Sequence, residues 1–213
     1  MKIALLLAGA YLLGSIPFGV IVGRRRGVDV RKHGSGNIGF SNVLRVLGPC
    51  PAALVLVGDV LKGLIPVVVG RRLLLMWAAP NPDSWLLATG LAPILGHAFS
   101  VFLGFRGGRA VATTLGVLFG MVWQAALVGL GVGLVVLGVT RYISVASIIA
   151  SASVPIYLAL AGVRMEWAAF WTAVAALIIA RHIPNLGRLL EGTESKIGQR
   201  VKAQPEEQEA SRD

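Results

Sequence analysis

The sequence predicts an all-α polytopic membrane protein of seven transmembrane helices, with the N-terminus outside and the C-terminus in the cytoplasm. Three observations lead there. The 213 residues are 55% hydrophobic and 14% charged, with a mean hydropathy of +0.75, a balance foreign to a soluble domain. Apolar runs close to the roughly 20 residues needed to cross the hydrocarbon alternate with short polar segments. Lysine and arginine collect at alternate ends of those runs, the pattern that orients helices in a bilayer.

The first run, Ile3–Gly23, is too long and too directly followed by Arg24, Arg25 and Arg26 for a cleaved signal peptide. It reads as a span, kinked by Pro17, which neighbouring helices can accommodate. Arg24–Gly48 is a loop. Pro51–Gly70 is the second span and carries Asp59 and Lys62, three apart and therefore on one helical face. Charges within a span point inward. Here they are either a mutually neutralising pair or groups at a substrate. Arg71–Asp83 reads as a short loop, Trp85–Leu103 as the third span, Ile143–Gly162 and Trp167–Ala180 as the last two. A single membrane domain covers residues 1–200, and the tail over 201–213 is polar and disordered in character.

Val111–Thr140 is apolar over its whole length apart from an interruption near Trp123 and Gln124, so it is one tilted span or a hairpin of two short ones. Charge decides. With a hairpin, fifteen Lys and Arg lie inside and four outside; with one span the split is nine to ten. The first is the bias that membranes impose. Seven spans also bring His33–Gly48, Gly104–Ala110 and the segment after Arg181 to the same cytoplasmic face.

The net charge of +10 sits between apolar runs, which favours anionic headgroups or phosphorylated substrates over nucleic acid. Cys50 is the only cysteine, and there is no HExxH, cysteine cluster or carboxylate pair, so metal catalysis lacks its ligands and no cofactor is expected.

Three polar segments remain as candidates for chemistry. In His33–Gly48, the glycines Gly34, Gly36, Gly39 and Gly48 alternate with Ser35, Asn37, Ser41, Asn42 and Arg45. Such a loop can turn backbone N–H groups onto an anion, and Arg45 adds a planar fork suited to phosphate; it can equally be a turn between two helices. Phe105–Thr113, FRGGRAVAT, sets Gly107 and Gly108 between Arg106 and Arg109 at a helix start. That reads as a phosphate cradle or as an interfacial turn with ordinary arginines. His97, one turn before it, reads as a helix–helix hydrogen bond. In Arg181–Gly198, His182 and Asn185 are three apart at the end of the last span. They can exchange a proton and orient a hydroxyl, or simply cap and anchor the helix. Glu194 and Lys196 read as ties for the tail.

The blocks GSIPFG, HGSGNIGFSNVLRVLG, DVLKG, GHAFSVFLGFRGGRAVAT, RYISVASI and RHIPNLGRLLEGTE occur in this order from Gly14 to about Gly198. In this the chain resembles the bacterial acyl-phosphate:glycerol-3-phosphate acyltransferases. The resemblance implies seven spans in the bacterial cell membrane and a cytoplasmic site built from three motifs. It also implies acyl phosphate and glycerol 3-phosphate as substrates, lysophosphatidic acid as product and membrane lipid as the surroundings. It assigns catalytic roles to Ser35, Arg45, His182 and Asn185, and substrate binding to Gly34, Gly36, Asn37, Asn42, Arg106, Gly107, Gly108 and Arg109. Glu194 takes a structural role.

The chain departs from the family pattern in two places. Gly39-Phe40-Ser41-Asn42 stands where GATN is usual, and Arg106, Arg109 and Ala110 replace two lysines and a glycine of KGGKGVAT. Positive charge is kept, but a guanidinium does not deliver a proton as an ammonium can. The implied donor is a mixed anhydride whose phosphate leaves readily, so catalysis reduces to positioning and charge stabilisation without an acyl-enzyme. The rival reading is a transporter or flippase for a phosphorylated solute, suited by Asp59, Lys62 and the broken first span. The lack of a visible inverted repeat, and three motifs on one face, weigh against it.

Overall fold

The computed structural model describes residues 1–201; the expected polar tail lies outside the described residues from 202 onward. Within them every regular element is helical, with no strand. Helix α1 (Lys2–Ser15) and helix α2 (Phe18–Arg24) form the first apolar run, bent by 40° at Ile16-Pro17. The proline ring denies the helix a donor, and the freed carbonyls find partners elsewhere in the chain. Ser15 O accepts from Ser100 Oγ at 2.6 Å, and Ile16 O accepts from Lys62 Nζ at 2.9 Å.

The first loop contains a helix that hydropathy did not reveal, α3 (Phe40–Leu47). Its buried Val43 packs with Val30, Ala52 and Val55. Helix α4 (Pro49–Met76) starts directly after it. At 28 residues it is about 42 Å long, well beyond the expected Pro51–Gly70. Arg71 and Arg72 therefore sit in a helix and not in a loop. Arg71 Nη2 donates to Met121 O at 3.3 Å and so satisfies the C-terminal end of another helix.

Helix α5 (Pro82–Ala98) runs into a short 3-10 turn, Val101–Leu103. The long apolar run after it is broken at Val122 into α6 (Val111–Met121) and α7 (Trp123–Thr140), close to the interruption read from sequence. Helices α8 (Ile143–Leu160) and α9 (Met165–Arg181) follow, and α10 (Ile183–Leu190) bends away from α9 by 49°. Among the described residues four helices are long and apolar enough to cross a membrane, or up to six if each bent pair is one span; α6 is a shorter apolar helix of 11 residues.

Helices α4 and α6 approach until backbones touch. A methyl on Gly63 would collide with Thr113 O, and one on Gly116 with Val60 O. Small residues let membrane helices meet where no hydrophobic force drives them together. Gly116→Val is therefore expected to cost about 1–3 kcal/mol and lower the melting temperature in detergent, while Gly131→Ala, which meets nothing within 4 Å, leaves it unchanged. Helices α7, α8 and α9 pack side by side beyond α6. Exposed Leu134, Val135, Val139 and Leu160 clothe their outer faces, as expected of a surface facing lipid.

Candidate active site

The three polar segments meet. A cavity of about 150 Å³ is walled by Asn37, Phe40 and Ser41 of the first segment, Arg109 of the second and His182 of the third. Asp59 of α4, His97 of α5 and Ser147 of α8 complete its polar lining. Of the residues to which the resemblance assigns catalysis or substrate binding, Asn37, Arg109 and His182 line this cavity, whereas Ser35, Arg45 and Asn185 are not part of its lining.

In the first segment Asn42 is fully buried and its amide is engaged with the loop. Its Oδ1 accepts from Ser35 N at 2.8 Å, and its Nδ2 donates to Val30 O at 2.8 Å and His33 O at 3.1 Å. Gly34 lies so close to that amide that a methyl there would strike Oδ1, and both Gly34 and Gly36 have positive φ. Asn42 thus shapes the loop that presents Ser35, and Asn37 Oδ1 braces the entry to α3 by accepting from Gly39 N at 2.8 Å.

The second segment corrects one expectation. The N–H groups of Gly107 and Gly108 do not face an anion: they donate to Ala98 O at 3.2 Å and His97 O at 3.0 Å. Their carbonyls accept from Arg181, Nη2 to Gly107 at 2.8 Å and Nε to Gly108 at 3.1 Å. The glycines are needed for closeness, since a methyl on either would collide with His97. The backbone amides nearest the cavity are instead the first of α6, whose N-terminus no side chain caps and whose Val111 and Ala112 line the cavity. The two arginines also part company. Arg106 is exposed and outside the cavity lining, whereas burial lowers the Arg109 guanidinium to about 10, with Arg188 nearby adding to the effect. Arg109 remains cationic at neutral pH.

The third segment is tied by Glu194. Its carboxylate accepts from Asn185 Nδ2 at 2.6 Å, Ser144 Oγ at 2.9 Å and Arg188 Nε at 2.8 Å. Burial raises the Glu194 pKa, but these three bonds outweigh it and hold the carboxyl below its ordinary range, so it is ionised. Asn185 Oδ1 and Arg188 Nη2 are buried without a protein partner. Arg45, Arg109 and Arg188 share the field of this one carboxylate. The excess positive charge invites an anion. His182 is 2% exposed, and its Nδ1 meets Ile178 O at 2.8 Å. A carbonyl only accepts, so Nδ1 carries the hydrogen and the neutral ring keeps an acceptor lone pair on Nε2.

The glycerol-3-phosphate acyltransferase family profile matches residues 4–192. The chain belongs to the glycerol-3-phosphate acyltransferase family. It is 44% identical over 192 residues to the glycerol-3-phosphate acyltransferase of Geobacter sulfurreducens, covering 90% of this chain and 96% of that one. It is 45% identical over 190 residues to that of Geotalea daltonii, covering 89% and 95%. Among solved structures it superposes on PlsY (YgiH), an integral membrane glycerol 3-phosphate acyltransferase, in its glycerol 3-phosphate form. The TM-score is 0.85 at 41% identity, with 93% of this chain and 96% of that chain covered. The lysophosphatidic acid form of PlsY gives 0.82 at 40% identity, covering 93% and 97%. This family member is thus an acyltransferase enzyme and a multi-pass integral membrane protein.

Ala110, which replaces a glycine of the family motif as read from sequence, has φ 62 and ψ 7. A side chain in that left-handed conformation costs about 1–2 kcal/mol, a strain the chain carries immediately beside Arg109. Several residues of the site escaped the sequence reading. Ser147 lines the cavity, while Arg181, Arg188 and Ser144 hold its walls. Ser144 and Ser147, three apart on one helix, were the available signal. The arginines were hidden among those that orient the spans.

Proposed function

We propose that this protein transfers a fatty acyl group from acyl phosphate to the 1-hydroxyl of glycerol 3-phosphate, giving lysophosphatidic acid and inorganic phosphate. The observation that supports this reading most is the joining of two spaces. The polar cavity shares Val111, Leu115, Ile143 and Ser147 with an apolar groove of about 180 Å³ between α6, α7, α8 and α9. The reaction brings together two substrates, each with one phosphate, and one of them carries a hydrocarbon chain; these two spaces offer both environments.

In this mechanism Arg109 and the uncapped start of α6 hold one phosphate, while Arg45, Arg188 and Ser35 hold the other. Both sets are charge-assisted donors. The acyl chain lies in the groove. His182 Nε2 accepts a hydrogen bond from the 1-hydroxyl of glycerol 3-phosphate, with Asn185 Oδ1 beside it. The hydroxyl oxygen attacks the acyl carbon, the bond to phosphate breaks, and the departing phosphate takes the proton. The reaction requires no covalent enzyme intermediate and no cofactor.

Purified protein given acyl phosphate and labelled glycerol 3-phosphate is expected to form lysophosphatidic acid, and acyl-coenzyme A in competition is expected to be a poor donor. The sequence holds no His-x-x-x-x-Asp motif. Comparable rates from both donors would overturn the donor assignment. The accompanying topology is one membrane domain over residues 1–200 with seven spans, α6 and α7 forming the hairpin, the N-terminus outside and the site facing the cytoplasm of a bacterial cell. With Cys50 replaced, Gln124→Cys is expected to be labelled from outside; labelling only from the cytoplasmic side would remove the hairpin.

A further inference from the structure

Asp59 and Lys62 lie one turn apart on α4, each 2% exposed, with Nζ 2.7 Å from Oδ1. Mutual neutralisation accounts for a pair of opposite charges inside a span, but not for what surrounds this one. On one side, Lys62 Nζ also holds the Ile16 carbonyl freed at the bend between α1 and α2. On the other, Asp59 Oδ1 is 3.6 Å from His97 Nδ1, which sits 3.0 Å from Thr113 Oγ1 in the first turn of α6. His97 then carries the glycine turn in two ways. Its carbonyl accepts from Gly108 N, and its ring lies against Gly108 so closely that a methyl there would strike Nε2. Arg109 is the next residue. The chain of contacts thus runs from the break in the first span, across α4, to the turn that aims Arg109, and Asp59 and His97 are themselves part of the cavity wall.

We propose that Asp59, Lys62 and His97 are positioning residues that set the register of the Gly107–Ala110 turn, and with it Arg109, against the broken first span. The proposal rests on the acyl-transfer reading above. Both ends of the network fall on backbone that ordinary helix bonds do not fix, at Ile16 and at Gly108. A buried ion pair joining two such points holds them at a set separation, which a pair placed only for neutrality need not do. In some proteins a buried polar pair trades stability for a defined arrangement, and that is the role assigned to this one.

The test separates arrangement from folding. Either single neutralisation, Asp59→Asn or Lys62→Met, leaves an uncompensated buried charge and is expected to reduce the amount of inserted protein. The double variant Asp59→Asn/Lys62→Met removes both charges and is expected to insert at the wild-type level. Its kcat is expected to fall about 30- to 100-fold, the effect of an ångström-scale misplacement, while KM for both substrates stays within about threefold because Arg109 keeps its charge. Thr113→Val retains shape and removes one bond to His97; its kcat is expected to fall about tenfold with KM unchanged. Gly108→Ala, whose methyl would strike His97 Nε2, is expected to be severely impaired.

An inserted double variant with wild-type kcat would overturn the proposal, as would a loss carried wholly by KM. Should the double variant fail to insert, Thr113→Val decides: wild-type kcat there overturns it equally. Wild-type protein that makes no lysophosphatidic acid from acyl phosphate would instead sink the functional reading itself.

Discussion

Arg109→Ala is expected to lower kcat/KM by about 10³-fold or more. Arg109 lines the cavity between the first segment and His182, beside the uncapped start of α6. Donors and charges aimed into a water-excluded site are each worth about 10²–10³ in rate, and a guanidinium at a transferring group is worth more still. Arg109→Lys keeps the charge but not the fork, and is expected to retain activity within about tenfold of wild type. Arg106→Ala serves as the comparison, because Arg106 is exposed and lies outside the cavity; its turnover is expected to stay close to wild type. Steady-state kinetics of the three variants, normalised to inserted protein, measure this. Wild-type turnover by Arg109→Ala would remove the second segment from the phosphate site.

His182→Asn is expected to reduce kcat by about 10²–10³-fold while leaving stability near that of the wild type. The ring has two separable duties. Nδ1 holds the Ile178 carbonyl across the end of α9, and Nε2 is the acceptor proposed to meet the substrate hydroxyl. An asparagine amide can reproduce the first bond and cannot reproduce the second. His182→Ala loses both, and is expected to melt earlier by the worth of one buried bond, about 1 kcal/mol, with no further loss of rate. Near-wild-type kcat in His182→Asn would show that only the capping bond matters.

The apolar helices were legible because hydrocarbon imposes length. Pro17 and the interruption before Trp123 marked two real breaks for the same local reason, the lack of a continuing helical bond or apolar surface. Helix α4 ran past its expected end because Arg71 and Arg72 look like loop residues until a tertiary acceptor, Met121 O, is seen beside one of them. Helix α3 was missed because eight residues give too little periodicity to distinguish a helix from a turn. The candidate site was legible as three patches of unusual composition. What composition could not show is which atoms of a patch face inward. Gly107 and Gly108 looked like amide donors, and their N–H groups are turned onto α5; Asn42 looked like a ligand contact, and it is the brace of its own loop. Arg181 and Arg188 carried no local distinction from the arginines that orient the helices.

The Glu194 clasp has a consequence for shortened chains. Its partners span residues 144 to 188, and beyond it Ile197 N donates to Arg141 O at 2.8 Å and Val201 N to Arg45 O at 3.1 Å. The last stretch of the described chain thus closes over the backbone at Arg45, just before α4, and at Arg141, just before α8. A chain truncated before Glu194 would lack the carboxylate that gathers Asn185, Ser144 and Arg188, and is expected to leave this corner of the candidate site unassembled. Such a truncation is expected to insert and to lose acyl transfer, which an activity assay normalised to inserted protein would measure.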